Sequence, residues 1–234
     1  MKIVVCIKQV PATIDVKIDE KTGTLVREGI PGVINPFDLH AIEEGLRIRE
    51  KLGGEVTAIS MGPPQVESSL REALGLGVDN AILLTDRAFA GADTLATSYT
   101  LAKAIERLGG CDLVICGRQA VDAETGQVGP ELAEHLNIPH VTSVRKVEEV
   151  REGYIRVERA LEEGGYEVVE MPLPALMTVT REINRPRLPS LKSMFRAKKA
   201  EITIWTADDL AVDRSMVGLA GSATQVLRLF KPQI

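Results

Sequence analysis

Residues 113–136 of the 234-residue chain, LVICGRQAVDAETGQVGPELAEHL, carry the pattern that decides the fold. They open with the apolar run 113–116, which is typical of a strand buried on both faces of a sheet. Gly117 ends this run, and a polar loop follows through Gly126. From Gln127 onward the pattern has helical spacing. The sequence therefore predicts a strand, a glycine-bearing loop and a helix, in that order.

A helix that begins after such a loop is a common place to hold an anion. Its first backbone N–H groups have no partner within the helix, and its dipole contributes roughly 0.3–1 kcal/mol toward a negative charge. The pattern is compatible with a phosphate site. An ordinary connecting loop of an α/β protein has the same features, so both interpretations stay open on these residues alone.

The same alternation of apolar strands and amphipathic helices runs through the first half of the chain. Strands are predicted at 2–7, 55–60, 81–84 and 113–116. Helices are predicted from 35 to the glycines at 53–54, over about 66–76, from 93 to the glycines at 109–110, and from 127. This order implies a doubly wound parallel sheet, with ligands beyond the carboxyl ends of its strands. The loops at that edge are 8–13, 61–64, 85–94 and 117–126.

Two polar residues are placed to begin helices at this edge. Asn35 precedes Pro36, and proline suits the first helical position, while Asp38 favours the positive end of the helix. Asp93 is positioned to cap the third helix. The apolar stripe of that helix is predicted at Leu95, Tyr99, Ala102 and Ile105.

Beyond residue 139 the pattern changes to strands joined by tight turns. Segments 141–150, 154–159 and 166–171 predict an antiparallel addition to the sheet. Further apolar strands are predicted at 176–180 and 201–205. Near the N-terminus, short strands at 16–18 and 24–26 flank a turn at 20–23 as a hairpin.

Residues 181–199 break this regularity. They lack periodicity, contain Pro186 and Pro189, and carry seven arginine and lysine residues against the single acid Glu182. A segment this long without predicted structure is usually functional or disordered. We expect a basic, aperiodic loop here.

The composition is that of an acidic globular protein. Hydrophobic residues make up 44% of the chain, enough to bury a sizeable core, and we find no linker that would divide residues 1–234 into separate domains. A net charge of −5 and a pI near 5.4 disfavour nucleic-acid and anionic-membrane binding. We find no apolar run of about 18 residues and no signal-peptide pattern, so we expect a cytoplasmic protein without membrane insertion.

Residue types that usually carry chemistry are sparse. Cys6, Cys111 and Cys116 form no CxxC pair, and the three histidines lie apart from other ligand types, so no metal site is predicted. No Ser–His–Asp set, catalytic carboxylate pair or P-loop is present, and no catalytic residue is predicted. Any redox chemistry would be that of a cofactor, which the protein positions and tunes.

Residues 117–136 resemble the adenine-nucleotide-binding segment of electron transfer flavoprotein β subunits, in which a G-[KR]-Q-A-[IV]-D loop is followed by Q-[TV]-G. Further matching segments occur in the family's order along nearly the whole chain. They are VVCIKQVPAT (4–13), NPFD (35–38), MGPP (61–64), DRAFAGADTLATS (86–98) and NRPRLPSLKSMFRAKK (184–199). The resemblance implies one Rossmann-like, adenine-nucleotide-binding α/β domain.

The resemblance also implies a site. Adenine and ribose would lie against Cys6, Asn35, Phe37, Asp38 and Met61, with Asp122 and the 123–128 loop around the first phosphate. The remaining cofactor-binding residues are expected to be Gly62, Gly91, Ala92, Asp93, Thr94, Thr97, Gly117, Arg118, Gln119, Ala120, Val121, Thr125, Gly126, Gln127 and Val128. Other interpretations stay open, since Cys6 and Met61 suit a core and Asp38 suits its helix.

The family divides according to the nucleotide in this site. Members that only shuttle electrons from dehydrogenases hold a structural AMP. Bifurcating members hold a second FAD, which accepts hydride from NADH and splits the electrons between high- and low-potential acceptors. Segment 86–98 resembles the bifurcating type, and the hydroxyls of Thr94, Thr97 and Ser98 beside a helix N-terminus suit a second phosphate. We expect FAD, with AMP as the alternative. An alternative outside this family is a module that binds ATP or AMP without redox function.

The expected partners also follow from the resemblance. They are an electron transfer flavoprotein α subunit, a dehydrogenase or quinone-oxidoreductase, and ferredoxin or flavodoxin as the low-potential acceptor. Segment 184–199 resembles the family's partner-recognition loop, in which a leucine at the position of Leu191 is the anchor, and Arg187 and Arg196 flank it. Family members commonly continue beyond segment 200–234 into an arm that packs on the partner, so contacts beyond about residue 220 stay open.

Overall fold

The computed structural model describes residues 1–12, 17–18, 25–26 and 32–227. Its strands are β1 (Lys2–Cys6), β2 (Gln9–Pro11), β3 (Lys17–Ile18), β4 (Leu25–Val26), β5 (Gly32–Ile34), β6 (Glu55–Met61), β7 (Asn80–Leu84), β8 (Leu113–Gly117), β9 (His140–Arg151), β10 (Tyr154–Ala160), β11 (Tyr166–Pro172), β12 (Ala175–Val179) and β13 (Thr203–Trp205). Its α-helices are α1 (Pro36–Leu52), α2 (Glu67–Leu76), α3 (Thr94–Arg107), α4 (Val128–Leu136) and α5 (Leu191–Lys199).

A nine-stranded sheet in the order β11-β10-β9-β12-β8-β1-β6-β7-β13 organises the molecule. All neighbouring pairs from β9 to β13 are parallel. The hairpin of β10 and β11 adds to β9 in antiparallel fashion. The predicted fold class, a doubly wound and mostly parallel sheet with an antiparallel addition, is confirmed.

Strand β1 lies in the interior of the sheet, and its residues are buried on both faces. Ile3 and Val5 pack into the cluster that includes α1 and α2, whereas Val4 and Cys6 pack into the cluster that includes α3 and α4. Burying each side chain of this size contributes roughly 1.5–3 kcal/mol. From β1 the chain builds outward to β6 and β7 on one side and to β8 on the other. The carboxyl ends of β1 and β8 therefore form a topological switch point, where ligands of such sheets bind.

Two details near the N-terminus refine the predicted pattern. Residues 9–11, expected as part of a loop, form β2 and pair in antiparallel fashion with β5. The predicted hairpin strands are present as the pair β3 and β4. The predicted turn at 20–23 lies outside the described residues.

The apolar stripe predicted for α3 is only partly correct. Ala102 and Ile105 are buried, but Leu95 and Tyr99 are half-exposed. The buried face also includes Ala96, Ser98, Thr100, Leu101 and Ala104. Several small and hydroxyl-bearing residues occupy the buried face of α3. A prediction based on large apolar side chains therefore placed the buried face at partly different residues.

The prediction of an aperiodic loop over 181–199 was wrong in its second half, where α5 forms. The Ser190 hydroxyl caps the helix by accepting the N–H of Ser193 at 3.1 Å. At the other end Arg71 of α2 donates to the carbonyls of Ala197 at 2.6 Å and Ala200 at 3.2 Å. Ala197 is the one buried residue of α5. No apolar stripe therefore marks this helix in the sequence, and its docking on α2 stabilises it.

Among the described residues, no helix is long and apolar enough to cross a membrane. The same residues contain no group of three or more His, Cys, Asp or Glu side chains arranged to hold a metal ion.

Replacing Arg71 with methionine should loosen the C-terminal end of α5, because its last carbonyls lose their donor. We expect a loss of about 1–2 kcal/mol in the free energy of unfolding and faster hydrogen exchange at amides 194–200. Glu67→Gln is the matched control, because it removes the 2.6 Å Arg71–Glu67 ion pair but leaves the guanidinium donors in place. Equal exchange in both variants would contradict this account of α5.

Candidate functional site

The loops that follow β1 and β8 are joined at the switch point by Asn35. This side chain is only 1% exposed, and its Nδ2 donates to the Gln119 carbonyl at 2.9 Å, while its Oδ1 accepts the Val121 N–H at 3.1 Å. Its backbone N–H donates to the Lys8 carbonyl at 2.9 Å. Its side chain accepts no backbone N–H group from the first turn of α1. Asn35 occupies the N-cap position of α1, as predicted, but its side chain makes no capping hydrogen bond and instead holds the loop after β8.

Asp38, in the first turn of α1, connects the same two strand ends. Its Oδ2 accepts the Lys8 N–H at 2.7 Å, and its Oδ1 accepts Nδ2 of Asn35 at 2.9 Å. Gly117 also donates its N–H to this carboxyl. A Cβ on Gly117 would lie 2.2 Å from Oδ1 of Asp38, so only glycine permits this approach.

The Asp38 carboxyl is only 5% exposed, and this burial shapes its acidity. Burial raises the pKa of Asp38 to about 7, against the opposing hydrogen bonds from Asn35, Lys8 and Gly117. The side chain therefore changes charge near neutral pH while serving as the acceptor that aligns the two strand ends.

An ion pair spans the mouth of the crevice between β1 and β8. The Lys8 Nζ lies 2.6 Å from Oδ1 of Asp122, and the side chains are 46% and 27% exposed. The sequence pointed to Asp122 but missed Lys8. A cation directly after the first strand, in a loop already placed at the binding edge, was the available signal.

The loop after β8 reaches α4 through two left-handed residues, Glu124 with φ 56° and Gly126 with φ 64°. The Ala120 carbonyl accepts the N–H groups of Ala123 at 3.3 Å and Glu124 at 2.8 Å, which closes a turn. Gly129 packs so closely on β12 that a Cβ would lie 2.4 Å from Cγ2 of Thr178. The start of α4 is thus held close to the sheet, with Thr125 and Gln127 exposed.

The residues expected around adenine line the same edge. Phe37 is half-buried, and the Arg181 guanidinium lies 4.7 Å from its ring centroid. Met61 is half-buried, and Cys6 is buried beside Cys116. A hydrogen bond with Cys116, together with burial, raises the pKa of the Cys6 thiol well above its ordinary value. The Cys6 thiol therefore remains neutral and behaves as an apolar group.

Two predicted residues hold backbone positions at this edge. The Gly62 N–H donates to the Leu84 carbonyl at 3.0 Å, and a Cβ there would lie 2.7 Å from Cγ2 of Val66. The Arg118 N–H donates to the Val179 carbonyl at 2.9 Å, and its side chain is exposed. Both residues keep the loops in register with neighbouring strands.

Asp93 caps α3 as predicted, and its Oδ1 accepts the Ala96 N–H at 3.1 Å. Its Oδ2 accepts the N–H of Thr224 at 2.9 Å and the Thr224 hydroxyl at 3.1 Å. The Asp93 N–H donates to the Ser222 hydroxyl at 2.8 Å. Both carboxylate oxygens of Asp93 therefore have partners within the chain, and they fasten the segment around residue 224 to this loop. The sequence carried no signal for that long-range contact.

The other predicted residues of this second loop lie just before α3 or in its first turns. Gly91 has φ 75°, a conformation that favours glycine, and a Cβ there would lie 3.3 Å from Cβ of Leu219. Ala92 and Thr97 are half-exposed, and the Thr97 N–H donates to the Asp93 carbonyl at 3.0 Å.

The N-termini of α3 and α4 lie side by side. The Thr94 hydroxyl lies 3.3 Å from Oε1 of Gln127 and 3.1 Å from Oε1 of Glu131. The two predicted anion-binding loops are therefore neighbours. Glu131 sits between them, and burial raises its pKa. Sequence reasoning did not find Glu131, because its role depends on the packing of one helix start against the other.

Segment 184–199 is anchored on the helices rather than on the strand-end loops described above. The Arg187 guanidinium pairs with Glu43 at 2.7 Å and with Glu50 at 3.2 Å, both on α1. The hydrogen bonds with Glu50 and Glu43 raise the pKa of Arg187 above its ordinary value. Leu191 is 76% exposed, and Leu188, Phe195 and Arg196 are exposed beside it. The structure places Arg187 as an internal anchor and leaves Leu191 and Arg196 at the surface.

Comparison with known proteins gives one consistent family. Residues 22–210 match the family described as electron transfer flavoprotein domain. The chain is similar to the electron transfer flavoprotein subunit beta of Thermoanaerobacterium thermosaccharolyticum, with 57% identity over 99% of this chain and 88% of that protein. It is also similar to subunit CarD of the caffeyl-CoA reductase-Etf complex of Acetobacterium woodii (48% identity, 99% and 88% covered). Protein FixA of Azorhizobium caulinodans shares 46% identity, with 99% and 85% covered.

The raised pKa of Asp38 predicts a pH-dependent stability. The folded value of about 7 lies above the reference value of 3.8, so the folded state holds an extra proton between these pH values. The resulting stabilisation is present below about pH 4 and is lost as the pH rises through 7. Compared with Asp38→Asn, which does not titrate, the wild type should lose about 2–3 kcal/mol between pH 5 and pH 8. Urea unfolding of both proteins at the two pH values measures this, and a constant difference between them would contradict it.

Proposed function

This chain belongs to the β-subunit family of electron transfer flavoproteins, and on that premise we propose that it binds FAD at the switch-point edge within an electron-bifurcating complex. Membership implies an electron transfer flavoprotein α subunit as partner and a role in electron transfer. In the proposed reaction NADH donates hydride, and the electrons pass to a high-potential and a low-potential acceptor. Ferredoxin or flavodoxin is the proposed low-potential acceptor.

The adenylate half of the nucleotide is proposed to lie over β1 and β8. Cys6, Phe37 and Met61 offer an apolar surface there, and the loop through Asp122 offers backbone N–H groups leading to the start of α4. Gly117 lets the end of β8 approach the start of α1 closely, because a side chain in its place would collide with Asp38. Asn35 and Asp38 keep the loops after β1 and β8 in place.

The contact between the two helix starts is the observation that carries the FAD proposal. Thr94 and Gln127 lie 3.3 Å apart, so the N-terminus of α3 offers a second place for negative charge directly beside that of α4. A diphosphate needs two neighbouring anion sites, whereas AMP needs one. A bound flavin would supply the hydride and single-electron chemistry, and the residues described here position it and shield it from water.

AMP remains the second candidate because of the charges at that second loop. Asp93 already uses both carboxylate oxygens within the chain, and the Glu131 carboxyl lies 3.1 Å from the Thr94 hydroxyl. Two acidic groups oppose a phosphate unless one is neutral. The raised pKa of Glu131, caused by burial, reduces this opposition.

The first measurement is the identity of the bound nucleotide. When the α–β complex is denatured and its nucleotides are analysed by HPLC, it should release more FAD than the single copy expected for the α subunit. One AMP and one FAD per heterodimer would contradict the FAD proposal.

The same complex, mixed anaerobically with NADH, should lose its flavin absorbance. Reduction by dithionite but by neither NADH nor NADPH would instead place the protein among the electron-shuttling members.

The exposed apolar residues of α5 are proposed to dock a partner dehydrogenase or quinone-oxidoreductase. Leu188, Leu191 and Phe195 are exposed side chains on a segment rich in positive charge. An apolar anchor gives specificity, and the surrounding charges speed encounter. Arg196 is available for a direct contact, whereas Arg187 contributes by fixing the start of the segment on α1.

Leu191→Ala should weaken partner docking by about ten- to a hundredfold, because a buried leucine contributes roughly 1.5–3 kcal/mol. Nucleotide content should be unchanged, since the contacts of α5 described above are with α2. Leu161→Ala is the matched control, as it truncates an exposed leucine at the β10–β11 turn. Titration of the complex with the partner, followed by electron-transfer rate, measures docking. Equal losses in both variants would overturn the docking role.

A further inference from the structure

A phosphate bound by the loop after β8 would meet negative charge. Asp122 lies in that loop, Glu124 follows two residues later, and both are exposed residues at the crevice edge. The N-terminus of α4 supplies only partial positive charge from its free N–H groups. A phosphate at this position therefore needs a full cation nearby, and the residues expected from the sequence to bind it include none on the β1 side of the crevice.

Lys8 lies where such a cation is needed. It lies two residues after the end of β1, and its main chain is held on both sides, with the N–H donating to Asp38 at 2.7 Å and the carbonyl accepting from Asn35 at 2.9 Å. Its ammonium reaches across the crevice to Asp122 at 2.6 Å. The backbone is fixed by buried groups, while the side chain remains 46% exposed and can move.

We propose that Lys8 binds the nucleotide phosphate nearest to the loop after β8, and that Asp122 holds its ammonium in position before the nucleotide arrives. This inference rests on the proposed function, and it applies equally to AMP and to the adenylate half of FAD. An exposed ion pair between single charges is weak, so exchange of the carboxylate for a phosphate, which carries one negative charge in FAD and up to two in AMP, costs little. Asp122 therefore acts as a positioning residue and Lys8 as the binding residue.

The ion pair has a purely structural alternative, in which it only ties the two loops together. The two alternatives predict different effects of removing Lys8 on ligands with and without a phosphate. If Lys8 binds phosphate, its removal weakens AMP binding but leaves adenosine binding unchanged. If Lys8 only ties the loops, its removal weakens the binding of both ligands alike.

The test uses the full chain in complex with its α subunit, freed of nucleotide at this site, and titrated calorimetrically with AMP and with adenosine. Lys8→Met should weaken AMP binding by about ten- to a hundredfold, as expected for a lost charged hydrogen bond. Adenosine affinity should change less than about twofold, which is within the range of indirect effects. Lys8→Arg should restore most of the AMP affinity, because it restores the charge. Lys2→Met is the matched control, since it removes a lysine at the opposite end of β1.

Asp122→Asn supplies the converse measurement. Without the carboxylate that positions the ammonium, AMP binding should weaken, but by less than in Lys8→Met, because Lys8 itself remains. A loss of AMP affinity in this variant as large as in Lys8→Met, unchanged AMP affinity in Lys8→Met, or equal losses for AMP and adenosine in Lys8→Met would each overturn the assignment of Lys8. Wild-type protein that binds neither AMP nor adenosine would instead overturn the proposed function and, with it, the role of Lys8.

Discussion

The buried carboxyl of Asp38 is the contact on which the binding edge depends. It accepts N–H groups from Lys8 after β1 and from Gly117 at the end of β8, while Asn35 adds a third bond and itself holds residues 119–121. These loops are far apart in sequence and carry few apolar side chains. Their relative position is therefore set by hydrogen bonds, which are strongest where water is excluded.

A similar long-range contact organises the second loop. Asp93 begins α3 and also holds Thr224, so the start of this helix and the segment near the end of the described chain form one unit. The neighbouring start of α4 is drawn close to the sheet by Gly129. Two helix N-termini thus meet beside the switch point, and Glu131 lies between them. The two adjacent helix N-termini suit the proposed diphosphate. The pKa of Glu131 matters for that proposal, because a charged carboxylate at this position would repel a phosphate.

Helix α1 connects the binding edge with the proposed docking surface. Its first turn carries Asp38, and Glu43 and Glu50 further along the helix hold Arg187 at the start of the basic segment. Arg71 of α2 then fixes the far end of α5. These charged contacts keep the largely polar helix α5 in place. Leu191 does not take part in them and remains exposed for the proposed external partner.

The sequence by itself determined the sheet, the helices of the first half, the antiparallel addition and the sheet edge at which the site is proposed. Those features follow from apolar periodicity and from glycine and proline positions, which are local and therefore readable along the chain. The tertiary structure alone decided that Asn35 bridges loops rather than caps a helix, that Lys8 faces Asp122, that Asp93 holds Thr224 and that residues 191–199 form a helix. Each of these depends on a partner at least several tens of residues away. Polar contacts of that kind leave no periodic trace, because one hydrogen bond or ion pair involves single residues whose identity carries no information about their partner.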